Sequence, residues 1–276
     1  MTNATSKAKP ITMLCRTEAD RITVRGHDLV TELMGEKTFT EVFALLLTGR
    51  LPTPGETRLI DAVLVALMEH GLTPQAIAAR MIARCEPDAM QAAMAAGLLG
   101  IGSRFGGAMS ATSVLLTEVI AAEPRGAEAA RDIIARFRAA KKSLPGFGHP
   151  QHRPDDPRSI RLFQIARETG IAGRYVDAVH LLSREIDATF GRHLTINTTG
   201  AIAAVLGDLG IPDEIMRGFA VVSRSAGLVG QLKEEREQQV AAYLTDFAEH
   251  DIRYVDPPRR QRSGGVRSSG SPNPSS

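Results

Sequence analysis

Leu144-Pro-Gly-Phe-Gly-His-Pro-Gln-His-Arg-Pro-Asp-Asp-Pro-Arg158 is the stretch on which the reading of this chain turns. It is too irregular for a helix. Pro145, Pro150, Pro154 and Pro157 each remove a backbone donor and restrict the residue before them. Gly146 and Gly148 permit positive φ and close approach to bare backbone. Two histidines, two arginines and two aspartates fall within its last ten residues, so it carries far more chemistry than a spacer needs. A polar, constrained loop between two helical runs reads as a site; the alternative is a charged surface turn.

The helical runs on either side are Ala127–Lys142, a basic amphipathic segment, and a run starting near Pro157 and reaching Glu168. Working outward, apolar residues recur at helical spacing almost everywhere. Phe39–Thr48 has Thr38 or Thr40 as its N-cap and Gly49 as its stop; Glu56–Met68 ends at Glu69-His70-Gly71. Thr73 and Pro74 read as N-cap and first residue of a helix reaching about Arg84. Pro87–Leu99 is nearly continuous in alanine, which suits close helix packing in a core or between subunits. Gly100–Gly107 is a glycine loop that fits neither dinucleotide nor P-loop spacing, leading into a helix at Ala108–Ala121. After Arg174–Phe190 comes the polar, extended His193–Thr199, then a very apolar helix, Gly200–Leu209, and two further runs at Glu214–Val222 and Ser225–Tyr243. Strands are scarce: Arg21–Gly26 is one candidate. An all-α fold is therefore expected, with residues 1–20 and the Arg/Ser/Gly/Pro-rich 257–276 disordered.

The bulk numbers exclude several classes. With 276 residues the chain can bury a real core, as one large domain or two modest ones. A net charge of +2 gives no reason to expect nucleic acid, and no run of about 18 apolar residues predicts a membrane span. Two cysteines, Cys15 and Cys85, make neither a disulfide framework nor metal spacing. Met1–Pro10 lacks the apolar segment of a secretory signal, so a cytoplasmic protein is expected.

The central loop, with Asp156-Pro-Arg158 at its end, resembles the signature of the citrate synthase superfamily. Other stretches agree in order: Val24-Arg-Gly-His-Asp-Leu29, Leu45-Leu-Leu-Thr-Gly-Arg-Leu-Pro52, Glu69-His-Gly71 with Ala78-Ala-Arg80, Gly106-Gly-Ala108, Ile196-Asn-Thr-Thr-Gly-Ala201 and Ser223-Arg-Ser-Ala-Gly227. The resemblance runs from about residue 21 to 256. The short length and Gly102-Ser-Arg-Phe-Gly-Gly107 are most similar to the compact citryl-CoA lyase branch, including the lyase module of ATP-citrate lyase.

What that resemblance implies is specific. The fold would be an all-α homodimer, with a large domain over 21–107 and 198–256 and a small CoA-binding domain over 108–197. The chemistry would make or break the C–C bond between an acetyl-CoA unit and oxaloacetate or a related 2-oxo acid. A CoA thioester and a small di- or tricarboxylate would be substrates, with no bound cofactor and no metal. His70 and His149 would hydrogen-bond the oxaloacetate or citryl part. Arg158 and Arg224 would hold its carboxylates, with help from Arg153. Leu144, Pro145, Gly146, Phe147 and Gly148 would lie along the CoA adenine. His152 is expected at the surface, and the family pattern gives Asp155 and Asp156 no role in proton transfer.

Two departures bear on the chemistry. Thr199 stands where the family has its catalytic aspartate, and Phe105 where citrate synthases carry an enolate-stabilising histidine. A threonine hydroxyl is no carboxylate base, so acid–base work would fall to His70 or a water, with His70, His149 and Thr199 the candidate catalytic residues. The alternative is a degenerate paralogue that binds a CoA ester or a di- or tricarboxylate as a sensor or partner subunit.

Overall fold

The structure is a computed structural model that describes residues 9–102 and 107–257. Phe105, Gly106, the first eight residues and the tail beyond Pro257 lie outside the described residues, as do most of the two termini expected to be disordered. Within the segment 1–20 the structure differs from that expectation. Cys15–Thr17 forms β1 and pairs antiparallel with β2, Ile22–Val24, which pairs in turn with β3, His27–Asp28. β2 lies inside the expected strand Arg21–Gly26; β1 and β3, of three and two residues, are too short for a periodic pattern to show.

Everything else is helical, and sequence chemistry sets the helix starts. α1 (Phe39–Thr48) and α2 (Pro54–Met68) open with capping boxes: Thr38 pairs with Glu41, and Thr53 with Glu56. α2 therefore begins two residues before the expected Glu56. Thr73 caps α3 (Pro74–Cys85), and α4 (Met90–Leu99) follows. α5 (Gly107–Ala121), α6 (Gly126–Ala139), α7 (Pro157–Glu168) and α8 (Arg174–Phe190) lead to α9 (Thr198–Asp208). α10 runs unbroken from Asp213 to Gln238, where two runs were expected, and α11 (Val240–Asp251) closes the described fold. Ser223 and Ser225 do not break α10; the Ser223 hydroxyl donates to the Leu64 carbonyl of α2 and the Ser225 hydroxyl to the Val221 carbonyl.

α9 is the centre of the molecule. Ala201 through Leu206 are all fully buried, and α5, α7, α8 and α10 pack around them. A helix apolar on every side is stable only when enclosed. Ile202, Val205 and Leu206 each contribute about 1.5–3 kcal/mol by leaving water. Its last residue, Asp208, accepts from the backbone N–H groups of Gly173, Tyr175 and Val176, and so caps the start of α8. A second, smaller apolar cluster of Ala79, Ala93, Leu228 and Leu232 joins α3 and α4 to α10.

Arg80 fastens that junction. It is fully buried on α3, and its guanidinium donates to Gln231, Glu234 and Glu235 of α10. Farther back on α10, a Cβ at Gly227 would fall on the Met68 carbonyl oxygen. Glycine is what lets α10 cross the end of α2, directly before His70.

Candidate functional site

The Leu144–Arg158 loop is held against the start of α9 by backbone. Asn197 N–H donates to Gly146 O at 3.0 Å and Gly148 N–H to Thr195 O at 2.8 Å, so Phe147 and Ile196 form an isolated antiparallel bridge. The Asn197 side chain donates to Gly148 O and, as N-cap, accepts from Gly200 N–H. Gly146 has φ +84°, and a Cβ there would strike Thr112 and Gly200. These two bare backbones touch because neither residue carries a side chain.

Asp156 ties the loop's far end to the same place. It is fully buried, yet it accepts five hydrogen bonds: from N, Nε and Nη2 of Arg158 and from N and Oγ1 of Thr198. Burial pushes its carboxyl up; the bonds from Arg158 and Thr198 overcome that and hold it at about 2. It is also the N-cap of α7. The Asp-Pro dipeptide is a legible cap signal, but nothing in the sequence joins Asp156 to Thr198.

Between these anchors sit three imidazoles. One ring nitrogen from each of His70, His149 and His152 lies within 4.8 Å of the other two. The His149 and His152 rings stack at 4.3 Å, and each is 6.4 Å from the His70 ring. His152 was expected at the surface and is instead partly buried in this cluster. The tight turn after His149 brings it there, and spacing alone does not reveal that turn.

Backbone sets the tautomer of His149. Its Nδ1 accepts from Gln151 N–H at 3.1 Å and His152 N–H at 3.0 Å. The ring proton of the neutral form therefore sits on Nε2, which becomes a donor. Burial first, then the neighbouring His152, keep His149 below the ordinary imidazole range, against a smaller pull upward from Asp156. His70 is lowered by burial, then by Arg158 and Arg224. Its position is fixed by Glu69, whose Oε1 accepts from His70 N–H, Gly71 N–H and the Gln231 amide.

Arg224 supplies the free charge. Its Nη1 is buried and has no hydrogen-bond partner among the described residues. Burial lowers its pKa, and Glu69 opposes the shift. Arg158 is less available than expected, because two of its three guanidinium nitrogens are committed to Asp156. Arg153 is exposed. The Thr199 hydroxyl donates to Asn197 Oδ1 at 2.7 Å, so it is neither ionised nor placed to take a proton easily.

For the expected adenine contacts the geometry is narrower than the sequence suggests. Leu144 and Phe147 are core side chains, and the polar backbone of Gly146 and Gly148 is engaged by Thr195 and Asn197. The bridge pattern directs the Phe147 N–H and C=O away from Ile196.

As a whole the cluster combines an Nε2–H donor, two further imidazoles and a guanidinium whose Nη1 is unpaired among the described residues, with Asp156 engaged by Arg158 and Thr198 and Glu69 Oε1 by backbone and Gln231. That charge pattern suits an anion or a polarised carbonyl oxygen. It is poor for a cation, which would face His149 Nε2–H and two guanidinium groups.

Known proteins place these observations. The family model described as "Citrate synthase, C-terminal domain" matches residues 52–243. "Putative citrate synthase 2" of Mycobacterium bovis is 30% identical over 191 residues, covering 67% of this chain and 49% of that protein. The chain thus spans about half the length of the first curated relatives it matches. The solved citryl-CoA lyase from Hydrogenobacter thermophilus superposes with a TM-score of 0.81 at 31% identity, covering 91% of this chain and 96% of that one. ATP citrate lyase from Methanosaeta concilii, solved with (3S)-citryl-CoA, shares the fold over 92% of this chain at 20% identity with a TM-score of 0.72.

Proposed function

We propose, from the premise that the chain belongs to the citrate synthase family, that it cleaves or forms the C–C bond between an acetyl-CoA unit and oxaloacetate or a related 2-oxo acid, in the manner of a citryl-CoA lyase. The single observation that supports this reading is the grouping of His149, its neutral tautomer fixed by backbone, with His70, which in turn lies near Arg224, whose buried Nη1 has no hydrogen-bond partner among the described residues.

Each group has a task. Arg224 would pair with a carboxylate of the substrate, satisfying its buried nitrogen. His149 would donate Nε2–H to the oxygen that is the ketone of oxaloacetate on one side of the reaction and the alcohol of the citryl group on the other. His70, held low by burial and two arginines, is the neutral donor or acceptor nearest the carboxylate grip. Arg158 would offer its remaining nitrogen, and Arg153, from the exposed loop, would steer phosphates or carboxylates. The CoA thioester would run along Leu144–Gly148. The active form would be a cytoplasmic homodimer, the segment 108–197 closing as a small domain over 21–107 and 198–256. Among the described residues no helix is long and apolar enough to cross a membrane.

A second reading is favoured by Thr199. Its hydroxyl is committed to Asn197, and the Asp156 carboxylate is saturated by Arg158 and Thr198. On this reading the chain binds a CoA ester or a tricarboxylate without turnover. The readings separate in one assay: citryl-CoA cleavage followed as oxaloacetate through a malate dehydrogenase couple. Turnover well above the thioester's own decay is expected. A folded protein that binds but does not turn over contradicts the lyase reading. In that case Thr199→Asp should raise cleavage at least about tenfold, the scale a restored proton-transfer group supplies.

A further inference from the structure

The lyase reading leaves one step without a residue. In cleavage the citryl alcohol loses its proton, and the electron pair left on oxygen forms the C=O π bond of oxaloacetate. The C–C bond breaks, and its electron pair passes to the thioester fragment as an enolate. That enolate carbon then takes a proton and becomes the methyl group of acetyl-CoA. No proton is gained or lost overall: one must move from oxygen to carbon.

The candidates for carrying it narrow quickly. Thr199 donates its hydroxyl hydrogen to Asn197. Asp156 accepts five hydrogen bonds and is held at about 2. His149 bears its proton on Nε2, the nitrogen it would present, and so cannot accept there while neutral. His70 lies against Arg158 and Arg224, on the side that grips carboxylates. His152 is different. Among the described residues neither of its ring nitrogens is hydrogen-bonded, its ring stacks on His149 at 4.3 Å, and a nitrogen of it lies within 4.8 Å of both other imidazoles.

We propose that His152 is the proton carrier of this site, taking the alcohol proton beside His149 and returning it to the enolate carbon. This rests on the lyase reading. The groups against it are His149 on its own loop and His70 after α2; around that cluster lie Arg158 and Asp156 at the start of α7 and Arg224 on α10, whose charges act on His70. A bound dicarboxylate beside the ring would stabilise the imidazolium formed during the step. Loss of the family aspartate and the presence of a third imidazole would then be two parts of one change.

The test is the pH dependence of citryl-CoA cleavage by wild type, His152→Gln and His152→Ala, the last with and without added imidazole. Oxaloacetate affinity by calorimetry and melting temperature serve as checks on folding. Expected for His152→Ala is a fall in kcat of about 10²–10⁴-fold with KM within a few-fold, the usual worth of a proton-transfer group. The shape of the pH–rate profile should change, which a merely structural residue would not produce. Added imidazole should restore at least part of the rate, with its own pH dependence, and His152→Gln should stay slow while still folded and binding. Cleavage within about threefold of wild type in both variants, or a loss that imidazole never repairs, overturns the proposal while leaving the lyase reading intact. No turnover by the wild type overturns both.

Discussion

His149 shows how much one residue's chemistry depends on its neighbours' backbone. Two N–H groups at its Nδ1 decide which nitrogen donates, and no side chain is needed to do it. Asp156 works in the opposite sense: its neighbours consume it. Its folded pKa of about 2 lies below the ordinary 3.8. A depressed carboxyl stabilises the fold fully above its unfolded pKa and loses that contribution as pH falls through its folded value. The window here is from about pH 4 down to about pH 2, and the contribution is on the order of 2 kcal/mol. Asp156→Asn should therefore lower the melting temperature at pH 7, and the gap from wild type should narrow below about pH 3. A gap that is the same at pH 7 and pH 2.5 would mean that the carboxylate's charge does not hold Arg158 and Thr198.

At the scale of elements, the site is made where α2, α7, α9 and α10 end or cross, and glycines set the distances. Gly200 lets the loop backbone reach α9, and Gly227 lets α10 reach the end of α2. A methyl at 227 would collide with the Met68 carbonyl, which is backbone and cannot rotate aside. Gly227→Ala should cost about 1–3 kcal/mol of stability by overpacking. Because Glu69 and His70 follow Met68, it should also weaken dicarboxylate binding. A Gly227→Ala protein that melts and binds like wild type would show that α10 can shift without disturbing His70. Helices were the part most legible in the sequence, because Thr38, Thr73 and Pro157 announce their starts; the Thr53 cap was passed over, and α2 was expected two residues late. α10 was misread as two runs, since serines that bond to carbonyls inside a helix look the same in sequence as serines that break one.

For the whole molecule, the all-α architecture and the family were readable from ordered motifs, and the structure agrees with both. His70, His149, Arg158 and Arg224 were also readable as a group, and they do converge. Three things were not. His152 enters through a turn that only the folded loop defines. Arg158 is diverted to Asp156 by a contact that also needs Thr198, 42 residues away from Asp156. Leu144 and Phe147 look like ligand contacts in a motif but are core in three dimensions. Long-range pairing is what separates a list of candidate residues from a site.

The measurement that bears most directly on the site is oxaloacetate binding by calorimetry to wild type and Arg224→Gln. The wild-type chain should bind, and the substitution should weaken binding at least tenfold, about 1.4 kcal/mol, because it removes the charge of the unpaired guanidinium. Equal affinity in the two proteins, or no binding to the wild type, would contradict a dicarboxylate site at the meeting of His70, His149, His152 and Arg224.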